Sequence, residues 1–207
     1  MANKGLIKTI RSNYEYKFKE KGSLFVGLAF PVNTEEECAE LLNSIKKKYY
    51  DATHHCSAYF LYPEIFKYSD DGEPNGTAGI RIFNAIKHFE LINIFIVIVR
   101  YFGGTKLGVG PLGKAYYNTA YETLKLAEVI EKQEYTKMTI SFDFEFINSV
   151  HHLLSQYKAV IKKNIFETKP AIECLILPEV VETLQKDLVD STAGKLKITS
   201  LEEGIFL

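Results

Sequence analysis

Cysteine is scarce, with three in 207 residues (Cys38, Cys56 and Cys174), an odd number placed far apart. That spacing supplies neither a disulfide framework nor a paired Cys-x-x-Cys metal signature, and it points to a reducing compartment. An excess of one charge is missing too: 25 Lys and Arg stand against 26 Asp and Glu, for a formal net charge of −1. No global basic field draws in nucleic acid, so a nucleic-acid reading has to rest on a local patch. Long apolar runs are absent. The longest, Leu91 to Val99, is broken by Asn93 and falls far short of the roughly 20 residues of a membrane span. Met1 to Lys8 has no apolar core or cleavage site, so no secretory signal is expected and the cytoplasm is the expected compartment. Internal repeats and low-complexity segments are lacking as well. What remains is 46% hydrophobic and 25% charged, the composition of a globular chain long enough for one large or two modest domains.

The apolar periodicity then gives an α+β succession. Tyr14 to Phe18 and Leu24 to Phe30 read as strands around a Lys21-Gly22-Ser23 turn. Asn33-Thr34 before three glutamates starts a helix that buries Cys38, Leu41, Leu42, Ile45 and Tyr49. His55 to Leu61 is a strand, and a helix over about 78–89 follows a turn-rich segment. Ile94 to Tyr101 is apolar throughout, the pattern of a strand covered on both faces. A helix over about 111–127 comes after a glycine-rich loop.

Beyond Glu128 the pattern restarts. Lys137 to Phe146 alternates, with Met138, Ile140, Phe142, Phe144 and Phe146 on one face. A helix near 150–157, strands near 160–168 and 171–177, a helix over 179–188 and a strand over 196–201 complete a β-α-β-β-α-β order, that of a ferredoxin-like domain. The polar stretch Glu131 to Glu134 is the expected boundary, dividing the chain into domains 1–130 and 135–207.

Two segments concentrate chemistry. Ser69-Asp70-Asp71-Gly72-Glu73-Pro74-Asn75-Gly76-Thr77-Ala78-Gly79 places three carboxylates within four residues, then a turn and a threonine at a helix N-cap position. It reads either as a solvated acidic turn or as acids held for metal binding or proton transfer. Arg100-Tyr101-Phe102-Gly103-Gly104-Thr105-Lys106-Leu107-Gly108-Val109-Gly110-Pro111-Leu112-Gly113-Lys114 follows a buried strand and opens a helix, where backbone amides can cradle an anion.

Two familiar motifs overlap there and neither is complete. Gly108-x-Gly110-x-x-Gly113 resembles a dinucleotide fingerprint, but the strand ends several residues too early. Gly108-x-x-x-x-Gly113-Lys114 lacks the hydroxyl of a phosphate loop, because Ala115 stands in its place. An anion site using Arg100, Lys106, Lys114 and the loop amides is the better expectation, with Tyr101 and Phe102 able to stack on a ligand. His54, His55 and Cys56 are adjacent on a strand, so at most two converge and no metal site is expected. No cofactor is expected and no catalytic residues are assigned.

Together Asp51-Ala52-x-His54-x-Cys56-x-Ala58-Tyr59, the acidic segment 69–79 and Arg100-Tyr101-Phe102-Gly103-Gly104-x-x-Leu107-Gly108 resemble the signature of the YigZ/IMPACT family. Residues up to about 128 resemble the IMPACT-type domain and the remainder the smaller C-terminal domain of bacterial members. The resemblance implies a ribosomal-protein-like N-terminal fold with a left-handed β-α-β crossover and a ferredoxin-like C-terminal domain. It further implies a cytoplasmic role in translation regulation and stress response, since eukaryotic relatives compete for an activator of a starvation-responsive kinase. The implied partners are RNA, the ribosome or a translation factor, or a phosphate-bearing small molecule.

The expected ligand-binding residues are Asp70, Asp71, Glu73, Thr77, Arg100, Tyr101, Gly103, Gly104, Lys106, Gly108, Gly110 and Lys114. The expected role is non-catalytic binding. The alternative is a hydrolase-like, metal-dependent enzyme acting on a small anionic substrate at the same place. Departures from the family pattern are Pro111, where a further glycine is common, Gly113, where a hydrophobic residue is common, and Arg81, where proline is usual.

Overall fold

The computed structural model describes residues 5–166 and 168–207. Residues 1–4 of the leading segment and Glu167 of the strand expected over 160–168 lie outside them. The chain divides into two compact units, one of Ile7–Glu131 and the other of Lys132–Leu207 with the first residues up to Leu6. Both are α+β.

In the first unit the strands are β1 (Leu6–Ile10, shared with the second unit), β2 (Tyr14–Glu20), β3 (Ser23–Pro31), β4 (His54–Leu61), β5 (Ile65–Ser69) and β6 (Ile94–Tyr101). The helices are α1 (Glu35–Lys48), α2 (Gly79–His88) and α3 (Val109–Lys125). Five strands form one sheet in the order β2-β3-β6-β4-β5, and every neighbouring pair is antiparallel. β3 and β4 both run antiparallel to β6, so they are parallel to each other and α1 must cross over between them.

Strand alternation sends successive side chains of β6 to opposite faces. Ile94, Ile96 and Ile98 pack with Ile82, Ile86, Leu112, Tyr116 and Ala120 of α2 and α3. Phe95, Val97 and Val99 pack with Cys38 and Ile45 of α1. Both faces are covered, which is why β6 reads as an unbroken apolar run.

The second unit holds β7 (Val129–Phe142), α4 (Ile147–Gln156), β8 (Val160–Phe166), β9 (Pro170–Ile176), α5 (Val181–Ser191) and β10 (Leu196–Phe206). These strands belong to a five-stranded sheet that also takes in β1; the four in the order β10-β7-β9-β8, all antiparallel, have the 4-1-3-2 arrangement of a ferredoxin-like sheet. Met138, Ile140, Phe142, Ile172, Cys174 and Ile176 form its inner face beneath Val150, Leu154, Leu184 and Leu188.

Several local expectations change. The polar stretch 131–134, expected as the boundary, lies within β7 rather than in a loop, and the two compact units divide there between Glu131 and Lys132. The alternation proposed through Phe146 ends at Phe142: residues 144–146 form a 3-10 turn, and Phe144 is 59% exposed. β1 and β5 carried no readable pattern. β5 is an edge strand with every residue exposed, so neither face imposes an apolar period. Among the described residues no helix is long and apolar enough to cross a membrane.

Candidate functional site

The acidic segment leaves β5 and enters α2, and its carboxylates are turned inward. Asp70 is the first. Its Oδ1 accepts from the amides of Ala78 and Gly79 at 2.9 and 2.8 Å, and its Oδ2 accepts from Gly76 at 2.9 Å. Those amides are donors at and before a helix start that have no partner within the helix. The cap expected from Thr77 is therefore supplied from eight residues upstream. Ala78 holds the cap position, and the Thr77 hydroxyl donates instead to the Pro74 carbonyl at 2.6 Å.

Asp71 sits at φ 42° and accepts from the His55 amide at 2.6 Å and from Lys46 at 3.1 Å. Its own carbonyl accepts from His54 Nδ1 at 2.8 Å. A carbonyl only accepts, so the His54 proton is on Nδ1, and Nε2 is turned towards Glu73 Oε2 at 3.8 Å.

Glu73 is the hub. Its Oε1 accepts from Arg100 Nη1 at 2.5 Å and from the Tyr116 hydroxyl at 2.6 Å, and all three residues are buried. Arg100 Nη2 donates to Ser23 Oγ at 3.3 Å, and the guanidinium lies 5.4 Å from the Phe25 ring centre and 5.6 Å from that of Phe102. Its Nε has no partner among the described residues. The Cys56 thiol closes the network, 3.0 Å from the Asp70 carbonyl and 3.3 Å from the Tyr116 hydroxyl. Burial pushes both the Cys56 thiol and the Tyr116 phenol upwards, so each stays neutral. The result is a buried ion pair with satisfied neighbours that ties β3, β4, β6, the acidic turn and α3 together.

The glycine-rich loop is anchored at one end and open at the other. The Phe102 and Gly103 amides donate to Thr53 Oγ1 at 3.0 Å and Ser23 Oγ at 3.2 Å. At Gly103 an added Cβ would stand 1.9 Å from the Gly22 carbonyl carbon, so the loop base closes directly on the β2–β3 turn and admits no side chain. Tyr101 donates to Asp51 at 3.0 Å, and burial together with that bond raises its phenol.

From Gly104 onward the loop faces solvent. Gly104 and Gly108 both have φ 86°, a left-handed conformation that glycine adopts without strain. Leu107 is buried and pins the middle, whereas Lys106, Gly110, Pro111 and Lys114 are exposed. Neither Lys106 nor Lys114 pairs with an acid among the described residues.

The twelve residues thus separate into two groups. Asp70, Asp71, Glu73, Thr77, Arg100 and Gly103 form an internal brace. Gly104, Lys106, Gly108, Gly110 and Lys114 form a surface, and Tyr101 lies beside the loop base. Two departures from the family pattern meet at the edge of that surface. Arg81 Nε lies 3.2 Å from where a Gly113 Cβ would be, and it donates to the Gly76 carbonyl at 3.3 Å. The exposed guanidinium occupies the space a larger residue at 113 would need.

Ser23 and Tyr116 were missed as members of the brace. Tyr116 reads as one more apolar position of a helix, and only the need of a buried hydroxyl for a partner hints otherwise. Among the described residues no three His, Cys, Asp or Glu side chains converge on a metal position. A groove of about 510 Å³ on the α1 face is lined by Glu35, Cys38, Tyr59 and Lys67.

Comparison with known proteins places this geometry. Residues 21–124 match the model of the Impact N-terminal domain. The chain is 31% identical to "IMPACT family member YvyE" of Bacillus subtilis over 92% of its length and 88% of that protein's. It is 27% identical to "IMPACT family member YigZ" of Escherichia coli over 88% of its length and 92% of that protein's. Among solved structures, one titled "Crystal structure of an hypothetical protein" superposes with a TM-score of 0.71 at 24% identity. That match covers 97% of this chain and 99% of the other.

Proposed function

The chain belongs to the IMPACT family, and on that premise we propose that it is a non-catalytic, translation-associated binding protein of the cytoplasm. It engages the phosphates of RNA, on the ribosome or on a ribosome-bound partner, through loop 104–110 and the first turn of α3. The observation that carries this reading is the division of charge. Asp70 and Glu73 are engaged internally and Asp71 is held by Lys46 and a backbone amide. Lys106, Lys114 and Arg81 stand exposed around the start of α3 with no acid partner among the described residues. The first-turn amides of a helix add a fixed positive potential there.

The enzymatic alternative has one observation in its favour, the His54 imidazole oriented by the Asp71 carbonyl with Nε2 towards Glu73. Against it, Glu73 is already committed to Arg100 and Tyr116, and the neighbouring thiol is held neutral.

The test is co-sedimentation with ribosomes at low and moderate salt, comparing the wild type with Lys106→Glu/Lys114→Glu. Association that weakens with salt and is lost in the double variant is the expected result. Association unchanged by the double variant, or absent at both salts, overturns the reading. In that event, loss of a turnover on His54→Ala becomes the measurement to pursue.

A further inference from the structure

The outward face of α3 does not end its chemistry at Lys114. Residues 114, 117, 118, 121, 122 and 125 fall on one helical stripe, while Leu112, Ala115, Tyr116, Thr119, Ala120, Thr123 and Leu124 face the core. Tyr117 and Tyr121 on that stripe are stacked, with centroids 6.1 Å apart and planes at 25°. Across from them the edge strand β2 presents Tyr16 and Phe18, which alternation places on the α3 side of the sheet. These four rings, with Asn118 and Glu122, line a groove of about 470 Å³, within the size range of small-ligand sites. All four rings are half-buried.

The polar atoms of the groove are telling. The Asn118 amide makes no hydrogen bond among the described residues, nor do the Tyr16 and Tyr121 hydroxyls, while the Tyr117 hydroxyl reaches His88 Nδ1 only at 3.4 Å. An amide amid aromatic faces offers a donor and an acceptor together, the pattern that reads a base edge. Lys114 lies four residues before Asn118, about 6 Å along the axis, a span that one nucleotide bridges. Glu122 lies beyond Asn118, where a carboxylate repels phosphate but accepts from an exocyclic amine.

We propose that this groove takes an unpaired base of single-stranded RNA, stacked on the Tyr117–Tyr121 pair, with Asn118 and Glu122 at its edge and its phosphate at Lys114. This rests on the phosphate-binding reading above and extends it from charge to base recognition. Bases carrying an exocyclic amine are favoured over uracil.

The probes are labelled 12-mers of oligo(A), oligo(U) and an abasic ribose-phosphate of the same charge, followed by fluorescence anisotropy. Oligo(A) is expected to bind at least about ten-fold tighter than the abasic strand. Tyr121→Ala is expected to abolish most of that difference, a loss of about 5- to 100-fold for one stacked base. Asn118→Ala, a surface change that leaves the packing intact, is expected to narrow the gap between oligo(A) and oligo(U). Lys114→Glu should weaken all three strands alike. The chain has no tryptophan, so quenching of its tyrosine fluorescence by the bound base is a second readout.

Equal binding of oligo(A) and the abasic strand, both sensitive to Lys114→Glu, overturns the base groove and leaves the phosphate reading standing. No binding of any strand at low salt overturns both. AMP competing as strongly as the 12-mer overturns the assignment to a strand.

Discussion

Removing the Glu73 carboxylate while keeping Arg100 is the perturbation that most directly tests the brace. In the folded chain Arg100 is 5% exposed, and among the described residues its one anionic partner is Glu73, itself 8% exposed. Glu73→Ala would leave a buried guanidinium with Ser23 Oγ and two ring faces as its remaining partners, and would strip Tyr116 of its acceptor. Breaking one side of a buried pair costs about 3–5 kcal/mol, whereas exchanging both partners for apolar residues of similar volume is often close to neutral. The orphaned tyrosine hydroxyl adds about 1 kcal/mol at the low end of its range.

The expectation is a loss of about 4–6 kcal/mol for Glu73→Ala and of about 3–5 kcal/mol for Arg100→Met. The double variant Glu73→Leu/Arg100→Met should recover most of either loss. In urea, with a slope of roughly 2 kcal/mol per molar, each single change lowers the midpoint by about 2 M. Coupling between the two sites is read from the double-mutant cycle closed by the single variants Glu73→Leu and Arg100→Met. A Glu73→Ala variant within about 1 kcal/mol of wild type would refute the brace. So would a double variant as unstable as the two single losses added together, since the pair would then not act as a unit.

Two further changes follow from the same geometry. Asp70→Ala leaves the amides of Gly76, Ala78 and Gly79 without an acceptor. It should cost about 2–3 kcal/mol, above a typical N-cap loss because three donors are involved, and lower Tm by about 10 °C; a drop below about 2 °C would show that water replaces the carboxylate easily. Raised pH should also destabilise the fold. Burial pushes the Cys38 and Cys174 thiols, usually near 9, up to about 12, with Glu37 and Glu173 adding to the effect. The unfolded chain then loses these protons first, so the contribution is complete below about pH 9 and is lost as pH rises through about 12. Urea midpoints at pH 7, 9 and 11 check this, and a midpoint unchanged at pH 11 would contradict it.

Much of the architecture was written in periodicity. β6 announced a doubly covered strand because alternate isoleucines and valines must satisfy two helical layers at once. The second unit announced itself by element order, and the ladder agrees strand by strand. What escaped was β5, exposed throughout, and β1, whose five residues are too few to show a period although Ile7 and Ile10 are buried. The two candidate segments stood out in the sequence and their wiring did not. Density of acids and glycines marked both segments, but direction is a tertiary property. Nothing local says that Asp70 turns back to cap α2 rather than out to a ligand, or that Glu73 finds Arg100 across 27 residues. Thr77 was the natural cap by residue type, and it lost to a carboxylate that reaches three amides at once.

That wiring explains how a chain of net charge −1 can present a cationic surface. The three acids of the 69–79 segment would otherwise be available to neutralise Lys106 and Lys114. Each is held back by a stronger internal claim: helix-start amides for Asp70, Lys46 and the His55 amide for Asp71, and Arg100 with Tyr116 for Glu73. Charge-assisted bonds of this kind are worth roughly twice neutral ones, while an exposed lysine pair is worth about 0–1 kcal/mol. The acids therefore stay inside and the lysines stay available. Brace and surface are separate in this arrangement: Arg100 stays inside with Glu73, and the exposed cations of the loop and helix start are the ones that face an anion. Glu73→Gln probes this, because the amide keeps an oxygen for Arg100 and Tyr116 but removes the charge that holds the guanidinium. With the fold retained, it should leave the salt slope of RNA binding unchanged. A slope altered by one or more would mean that Arg100 itself reaches the ligand.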